Sequence, residues 1–505
     1  MIALGYDYGT TNSIIVKFDS DMTSDRIKNT RKSERMPDGQ SPKRLLNDRE
    51  HDSASVLDNI RDFTQSMFGE VKNYLPDDEL VITLTIPNTF RDVECLQMRD
   101  VVMNACCNPE IFGNRLNESD IHILPEPVAA ALYYVYLAHE TGNGTDERYL
   151  IVYDVGGGTS DFAVIGYRIE LNAEGKKIVK FSVKCTAGEL ILGGDDFDEI
   201  TEEYMKNCLT CEGTAVTYDV LDSIRKDREA VKCRVAARDY IHYLFVDDSP
   251  VTEGGLTLKR KGFEAYVRNS GKLKSFTTRA EQLLEAFKKK INEEGGRIED
   301  ALGRACILPV GGSSKIPLLQ EEMERVFKCK VIAEMDFGEG ARFESVSRGA
   351  AIYSACMAGM LDDIADIEIE ERVLHRISYL WGEDRLHTCV EKNYPSGDYH
   401  INLRPSGLQR RNDGTFVIGQ VHFYEGEGDV VDRDNRYPRN DHLRRLAEKL
   451  ASLNDPIYLN GRLLSDISVT MKLEIRKGRL QSVDFTVPKG SRDGSDYYSG
   501  PISIQ

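Results

Sequence analysis

The chain lacks a positive charge balance, a membrane-length apolar run and a paired cysteine framework. Each absence removes a class of function. Its 65 Lys and Arg are outnumbered by 83 Asp and Glu, giving a net charge of −18. That sign disfavours nucleic acid and anionic membrane as main partners. No apolar run reaches the roughly 20 residues that a spanning helix needs. Met1-Ile2-Ala3-Leu4 runs straight into the first strand pattern with no basic segment or cleavage site, so the start reads as that of a cytoplasmic protein. The 11 cysteines are scattered. Only Cys208 and Cys211 make a C-x-x-C, no second pair completes a zinc site, and adjacent Cys106 and Cys107 are poor disulfide partners. Reduced structural thiols are the expectation, with a redox or metal role as the alternative.

What is present centres on glycine. Residues 152–165 read VYDVGGGTSDFAVI. An apolar strand ends at Asp154, Gly156, Gly157 and Gly158 form a turn, and Thr159, Ser160 and Asp161 lead into a second strand. Glycine N–H groups without side chains let a phosphate approach closely. A carboxylate on each side suits a magnesium–nucleotide complex. A tight hairpin between two core strands is the alternative for this stretch alone. A second copy shifts the balance. In LGYDYGTTNSIIVKF, residues 4–18, Tyr6-Asp7 aligns with Tyr153-Asp154, Gly9 with Gly156 and Ser13 with Ser160, without gaps. Such self-similarity signals duplication. Two facing hairpins could grip one nucleotide, with Asp7 and Asp154 near the same cation.

The 505 residues allow three or four structural units. Residues 19–50 are polar and hard to read, apart from a short helix start at Ser41–Leu46 that carries Lys43. Val56, Ile60, Phe63, Met67 and Val71 have helical spacing. Strands are expected over Leu80–Ile86, Ile121–Leu124 and Ala305–Pro309, and helices over 92–107, 218–237 and 318–327. Glu126 stands between two prolines before an alanine-rich helix; a helix N-terminal charge is the alternative to a functional role. Gly193-Gly194 opens an acidic helix start, where it can meet phosphate or simply cap a turn, and Gly311-Gly312-Ser313 recurs as a glycine turn between a strand and a helix. Gly349, Ala350, Ala351 and Ala355 permit tight packing of a helix over 343–360. The acidic run 361–372 reads as a linker. Beyond it the pattern is β, clearest in Ile467, Val469, Met471, Leu473 and Ile475, followed by a Lys477-Gly478 turn and Val483, Phe485 and Val487. One helix is expected over 441–453, striped by Leu443, Leu446, Leu450 and Leu453. The Gly/Ser-rich residues 488–505 read as a tail.

Seven stretches in this order resemble the heat-shock protein 70 chaperone family: LGYDYGTTNS, VITLTIPNTF, ILPEPVAAAL, VYDVGGGTSDF, LGGDDFD, LPVGGSSKIP and SRGAA. They span nearly all of residues 1–360. The resemblance implies an α/β fold: a duplicated, two-lobed actin-like (ribonuclease H-like) ATPase domain over 1–360. A linker at 361–372, a β-sandwich-like substrate-binding domain at 373–487 and a tail would follow. It implies ATP or ADP with Mg2+, slow ATP hydrolysis, and unfolded or extended polypeptide as partner, with a J-domain co-chaperone and a nucleotide exchange factor. Position by position, Gly9, Thr10, Thr11 and Asn12 would form one phosphate loop, and Gly156, Gly157, Gly158 and Thr159 the other. Asp7, Asp154 and Asp161, with Glu126, would hold magnesium through its waters. Lys43 would orient the attacking water. Gly193 and Gly194 would border the phosphates. Glu229, Lys232, Gly311, Gly312, Ser313 and Lys315 would line the adenosine.

The chain departs from the family pattern at several of these places. Cys233 and Lys315 stand where arginines usually flank the adenine, with Arg234 as a possible substitute, and Phe343 stands where an aspartate is usual. These changes predict weaker nucleotide affinity. Cys95 replaces an arginine that relays nucleotide state, and DDIADIEIEERV replaces a leucine-rich linker, so weaker coupling between domains is expected. The helical lid that usually follows is not expected here, which predicts fast peptide release. Two rival readings share the fold: a nucleotide-dependent scaffold for one folded partner, and a small-molecule phosphotransferase. No motif supplies the extra general-base aspartate that the second needs.

Overall fold

A computed structural model of the chain describes residues 1–19, 28–34, 36, 41–46, 53–87, 92–108, 110–138, 146–187, 192–244, 255–333, 341–370, 376–381, 386–390, 396–419, 421–426, 443–445, 453, 455–476 and 479–503. They form two units, Met1–Glu368 and Ile369–Gln505.

The first unit is mixed α/β, built on two five-stranded sheets. Strands β1 (Ile2–Asp7), β2 (Asn12–Lys17), β3 (Lys28–Lys32), β4 (Leu80–Ile86) and β5 (Ile121–Pro125) order as β3-β2-β1-β4-β5. Strands β6 (Arg148–Val155), β7 (Ser160–Leu171) and β8 (Lys177–Thr186) belong to the second sheet. The hairpin β9 (Tyr240–Tyr243) and β10 (Leu256–Lys259) stands apart, and β11 (Ala305–Val310) and β12 (Ile364–Glu370) complete the second sheet as β11-β6-β7-β8-β12. Both sheets follow one plan. An antiparallel meander begins with a strand that carries an aspartate at its last or penultimate position, and a parallel strand lies beside that first strand. Every residue of β4 is buried, the mark of a parallel strand covered on both faces.

Helices α1 (Pro42–Leu45), α2 (Ser53–Lys72), α3 (Asp92–Cys106) and α4 (Glu126–Leu137) accompany the first sheet; α5 (Gly194–Cys211), α6 (Tyr218–Ala237), α7 (Arg260–Asn269), α8 (Lys272–Glu293), α9 (Ile298–Leu302), α10 (Pro317–Phe327) and α11 (Ala341–Met357) follow. The apolar stripe of α2 is buried in the first core as its spacing predicts. Helix α8 buries Leu273, Phe276, Ala280, Leu283, Phe287 and Ile291, and Phe276 packs edge-on to Tyr153 at 6.0 Å. Small residues let α11 touch backbone on two sides. A Cβ on Gly5 would stand 2.1 Å from the Ser347 carbonyl, and one on Gly349 would stand 1.8 Å from the Ala129 carbonyl. The SRGAA helix thus packs directly against β1 and α4.

In the second unit, strands β13 (Ile377–Leu380), β14 (His387–Val390), β15 (Gly397–Leu403), β16 (Gln409–Arg410), β17 (Phe416–Val417), β18 (His422–Gly426), β19 (Leu443–Arg445), β20 (Val469–Arg476), β21 (Arg479–Val487), β22 (Tyr497–Tyr498) and β23 (Ile502–Ser503) form two larger sheets and a small ribbon. The alternating residues Val469, Met471, Leu473 and Ile475 face Val483, Phe485 and Val487 in one core. The Lys477-Gly478 turn lies outside the described residues.

Three expectations are corrected. The stretch read as a linker contains β12, a strand of the second sheet. Two of its acidic residues reach β8: Lys177 pairs with Asp363 at 3.2 Å and Lys180 with Glu368 at 3.3 Å, while Ile364 and Ile367 are buried. At these two positions, charge that reads as solvated linker is local complementarity. Leu443–Arg445, expected to be helical, is a strand paired with β18, and Leu453 bridges Gly419; residues 441–442 and 446–452 lie outside the described set. A leucine repeat of three turns does not by itself separate helix from strand. The stretch read as a tail returns to β21, with Tyr498 opposite Thr486 and Ile502 opposite Val483. Gly494 and Gly500, at φ +84° and +73°, make the turns that fold it back. No helix among the described residues is long and apolar enough to cross a membrane.

Candidate active site

One cleft of about 970 Å³ in the first unit is lined by both glycine turns. The β1–β2 turn is tight: a Cβ on Gly9 would fall 2.0 Å from the Asn12 carbonyl oxygen. Ser33, the residue after β3, braces it: its Oγ donates to the Gly9 carbonyl at 2.7 Å and its N–H to the Thr11 carbonyl at 2.8 Å. Ser13 Oγ lies 2.8 Å from Ser33 Oγ. The β6–β7 turn closes through the Gly156 N–H to the Thr159 carbonyl at 3.0 Å. The start of α5 is fastened to it: the N–H groups of Gly194 and Asp195 donate to the carbonyls of Gly156 and Gly157 at 2.9 and 2.7 Å. Ser160, the counterpart of Ser13, donates to the Leu192 carbonyl at 2.6 Å. The two turns meet. A Cβ on Gly157 would lie 1.8 Å from Thr11 Oγ1, so only glycine admits this approach.

Asp7, Glu126, Asp154 and Asp161 reach the cleft together with Lys43. Asp154 and Asp161 face each other across the β6–β7 hairpin. Lys43 Nζ donates to Glu126 Oε1 at 2.7 Å, and Thr85 Oγ1 donates to Asp7 Oδ1 at 3.1 Å. Burial pushes Asp7 up to about 6, opposed by Lys43 and Thr85 and reinforced by Glu126. Burial pushes Asp154 well above the carboxylate range, with Glu126, Asp161 and Asp7 adding to it and Lys43 opposing. Burial acts against the Lys43 charge, but Glu126, Asp7 and Asp161 outweigh it and raise its pKa. These carboxylates thus form an acidic cluster that Lys43 offsets only in part, and a divalent cation would relieve it. Among the described residues no three His, Cys, Asp or Glu stand together at metal-ligating geometry. These carboxylates fit a hydrated magnesium ion held through its waters rather than direct ligands.

The Gly311–Ser313 turn forms another wall. Gly311 has φ +81°, and a Cβ there would stand 2.5 Å from Asp154 Oδ1. Its N–H donates to the Arg342 carbonyl at 2.9 Å. Lys232, buried, pairs with Asp198 at 2.8 Å and donates to the Gly194 carbonyl at 3.2 Å. Glu229 meets Lys32 at 3.3 Å, both exposed.

Of the residues singled out in the sequence, Gly9, Thr10, Thr11 and Asn12 line the cleft, as do Gly156, Gly157, Thr159 and Gly194. Glu229, Lys232, Gly311, Gly312 and Ser313 line it too. Gly158, Gly193 and Lys315 fall outside the lining. Gly193 instead packs on the second turn, where a Cβ would meet the Gly158 nitrogen at 2.6 Å. Cys233 and Phe343 line the cleft, and burial raises the Cys233 thiol. Cys95 belongs to α3, with its side chain outside the described set. The reading missed Lys32, Ser33, Asp195 and Asp198. The last two sit inside LGGDDFD and were findable from that motif. Nothing marks the first two within a polar stretch.

A family model described as Hsp70 protein matches residues 16–393. The chain belongs to the Hsp70 family. It is 26% identical over 396 residues to a chaperone protein DnaK 3 of a Synechococcus species, covering 76% of this chain and 52% of that protein. It is 24% identical over 353 residues to a chaperone protein HscA homolog of Shewanella denitrificans, covering 70% and 48%. To heat shock protein hsp-6 of Caenorhabditis elegans it is 26% identical over 323 residues, covering 63% and 42%. This Hsp70 chain spans about half the length of those relatives.

Proposed function

We propose that the first unit binds ATP with magnesium and hydrolyses it slowly, and that the nucleotide state governs how residues 369–503 hold unfolded or extended polypeptide. One observation supports this above the others: two equivalent glycine turns touch, Thr11 against Gly157, beside four carboxylates and a buried lysine in a single cleft. The common plan of the two sheets favours a duplicated, actin-like architecture, and the paired sheets of the second unit favour a sandwich.

Hydrolysis of a phosphoanhydride needs little covalent chemistry, only positioning and charge stabilisation. The N–H groups of Gly9–Asn12 and Gly156–Thr159 cradle the phosphoryl oxygens. Asp7, Asp154, Asp161 and Glu126 orient the hydration shell of magnesium, which when bound neutralises phosphoryl charge. Lys43, held by Glu126, orients the attacking water. Glu229, Lys232 and Gly311–Ser313 border the nucleoside, with Lys315 behind them. The described residues of the second unit contain no α-helix, so they supply no helical cover for a bound peptide. A J-domain protein and a nucleotide exchange factor would complete the cycle. The test is binding of a labelled unfolded polypeptide with and without ATP. A nucleotide-dependent change in affinity is expected, and its absence with every substrate tried would sink the chaperone reading.

A nucleotide-dependent scaffold for one folded partner is the second reading. The fastening of β12 to β8 by Lys177–Asp363 and Lys180–Glu368 favours it, because that segment is a sheet strand rather than a free connector. A single stoichiometric partner, without general peptide binding, would establish it.

A further inference from the structure

Phe343 is the one aromatic ring among the described residues that line the cleft, and it is only half-buried. Its place is set firmly. It sits in the first turn of α11, one residue after Arg342, whose carbonyl accepts the Gly311 N–H at 2.9 Å. Arg342 is itself buried and donates through Nη2 to the Ile332 carbonyl at 3.3 Å. Val346, one turn on, lines the same cleft. A Cβ on Gly312 would lie 3.9 Å from Phe343 Cδ2, so the ring stands beside the Gly311–Gly312 backbone.

Asp154, one of the clustered carboxylates, lies against Gly311, and the two glycine turns touch each other in the same cleft. Phosphates belong there. Gly312, the next residue, has the Phe343 ring beside it, and Val346 lines the same cleft. A pre-positioned, incompletely covered ring lining the same cleft as a phosphate cradle calls for a planar partner.

We infer that the ring of Phe343 is the stacking platform for the base of the nucleotide in this cleft; the inference rests on the nucleotide-binding reading above. The contact is dispersion and π-stacking between neutral groups, so its contribution is insensitive to salt, unlike the contacts to phosphate. Phe343 is a positioning and specificity residue and takes no part in bond breaking.

The test measures ATP affinity of the full chain by titration calorimetry with magnesium, for wild type, Phe343→Ala and Phe343→Trp, at low and high salt. Magnesium tripolyphosphate, which has no base, is the second probe. Removing a base-stacking ring typically weakens binding by roughly five- to a hundred-fold. The expected pattern is a loss of that order for ATP with Phe343→Ala at both salt concentrations. Phe343→Trp should bind ATP as well as wild type, and tripolyphosphate should bind all three proteins equally. Unchanged ATP affinity in Phe343→Ala overturns the inference. So does an equal loss for tripolyphosphate, or a loss in Phe343→Trp matching that in Phe343→Ala, since either makes the ring merely structural. Wild-type protein that binds neither probe would instead remove the nucleotide reading itself.

Discussion

Lys43 Nζ and Glu126 Oε1 stand 2.7 Å apart, with side chains only 7% and 11% exposed. Removing one partner of such a buried pair strands the other charge, at about 3–5 kcal/mol, whereas replacing both with apolar groups can be close to neutral. Lys43→Met and Glu126→Leu should each lower the unfolding free energy by that order, and the double variant should be more stable than either single. Chemical denaturation of the four proteins checks this. All three variants should lose hydrolysis, by about a hundred-fold or more if Lys43 orients the water.

The raised Asp7 carboxyl gives a pH dependence with a definite sign. Its pKa moves from 3.8 to about 6 on folding, so between those values the folded chain keeps a proton that the unfolded chain has lost. The associated stability is present at low pH and is lost as pH rises through about 6. Metal-free protein should therefore gain stability from this group between pH 7 and 5, and Asp7→Asn should flatten that gain. Magnesium nucleotide favours the ionised carboxylate, so binding near pH 6 should release protons. Calorimetry in two buffers of different ionisation enthalpy reads that release directly; heats identical in both buffers would contradict it.

Gly349 tests the helix contact behind the cleft. Its Cβ would fall 1.8 Å from the Ala129 carbonyl oxygen, a backbone atom that cannot move alone. Gly349→Ala should cost at least about 1–3 kcal/mol as α11 is pushed off α4. A shift of the denaturation midpoint to lower urea checks it.

The corrected boundary is testable by truncation. A chain ending at residue 360 lacks β12, with its buried Ile364 and Ile367, and bares the edge of β8. A chain ending at residue 370 keeps the strand. The longer piece should melt higher and aggregate less, and equal behaviour would show that β12 contributes nothing.

Much of the first unit was legible because its signals are local. The burial of β4 follows from an apolar run interrupted only by Thr83 and Thr85, and the stripe of α2 from its spacing. Asp7 and Asp154 announced themselves through a shared strand–glycine register. Small residues marked the α11 contact before its partner was known. What stayed hidden depends on distant neighbours. The acidic residues of β12 make sense only beside Lys177 and Lys180, and the glycines of 488–503 only beside β21. Lys32 and Ser33 reach the cleft because β3 pairs with β2, a pairing that a polar, charged strand does not advertise. The meeting of Thr11 with Gly157 joins residues far apart in the chain, and only the duplicated motif hinted at it.

Magnesium-dependent ATP binding and hydrolysis by wild type, Asp154→Asn and Thr159→Ala is the most direct test that the two turns and their carboxylates form one nucleotide site. The account predicts turnover in wild type that disappears on chelation and falls by at least about a hundred-fold in both variants, with their folds intact by circular dichroism. Equal turnover in all three proteins, or none in any, would contradict it.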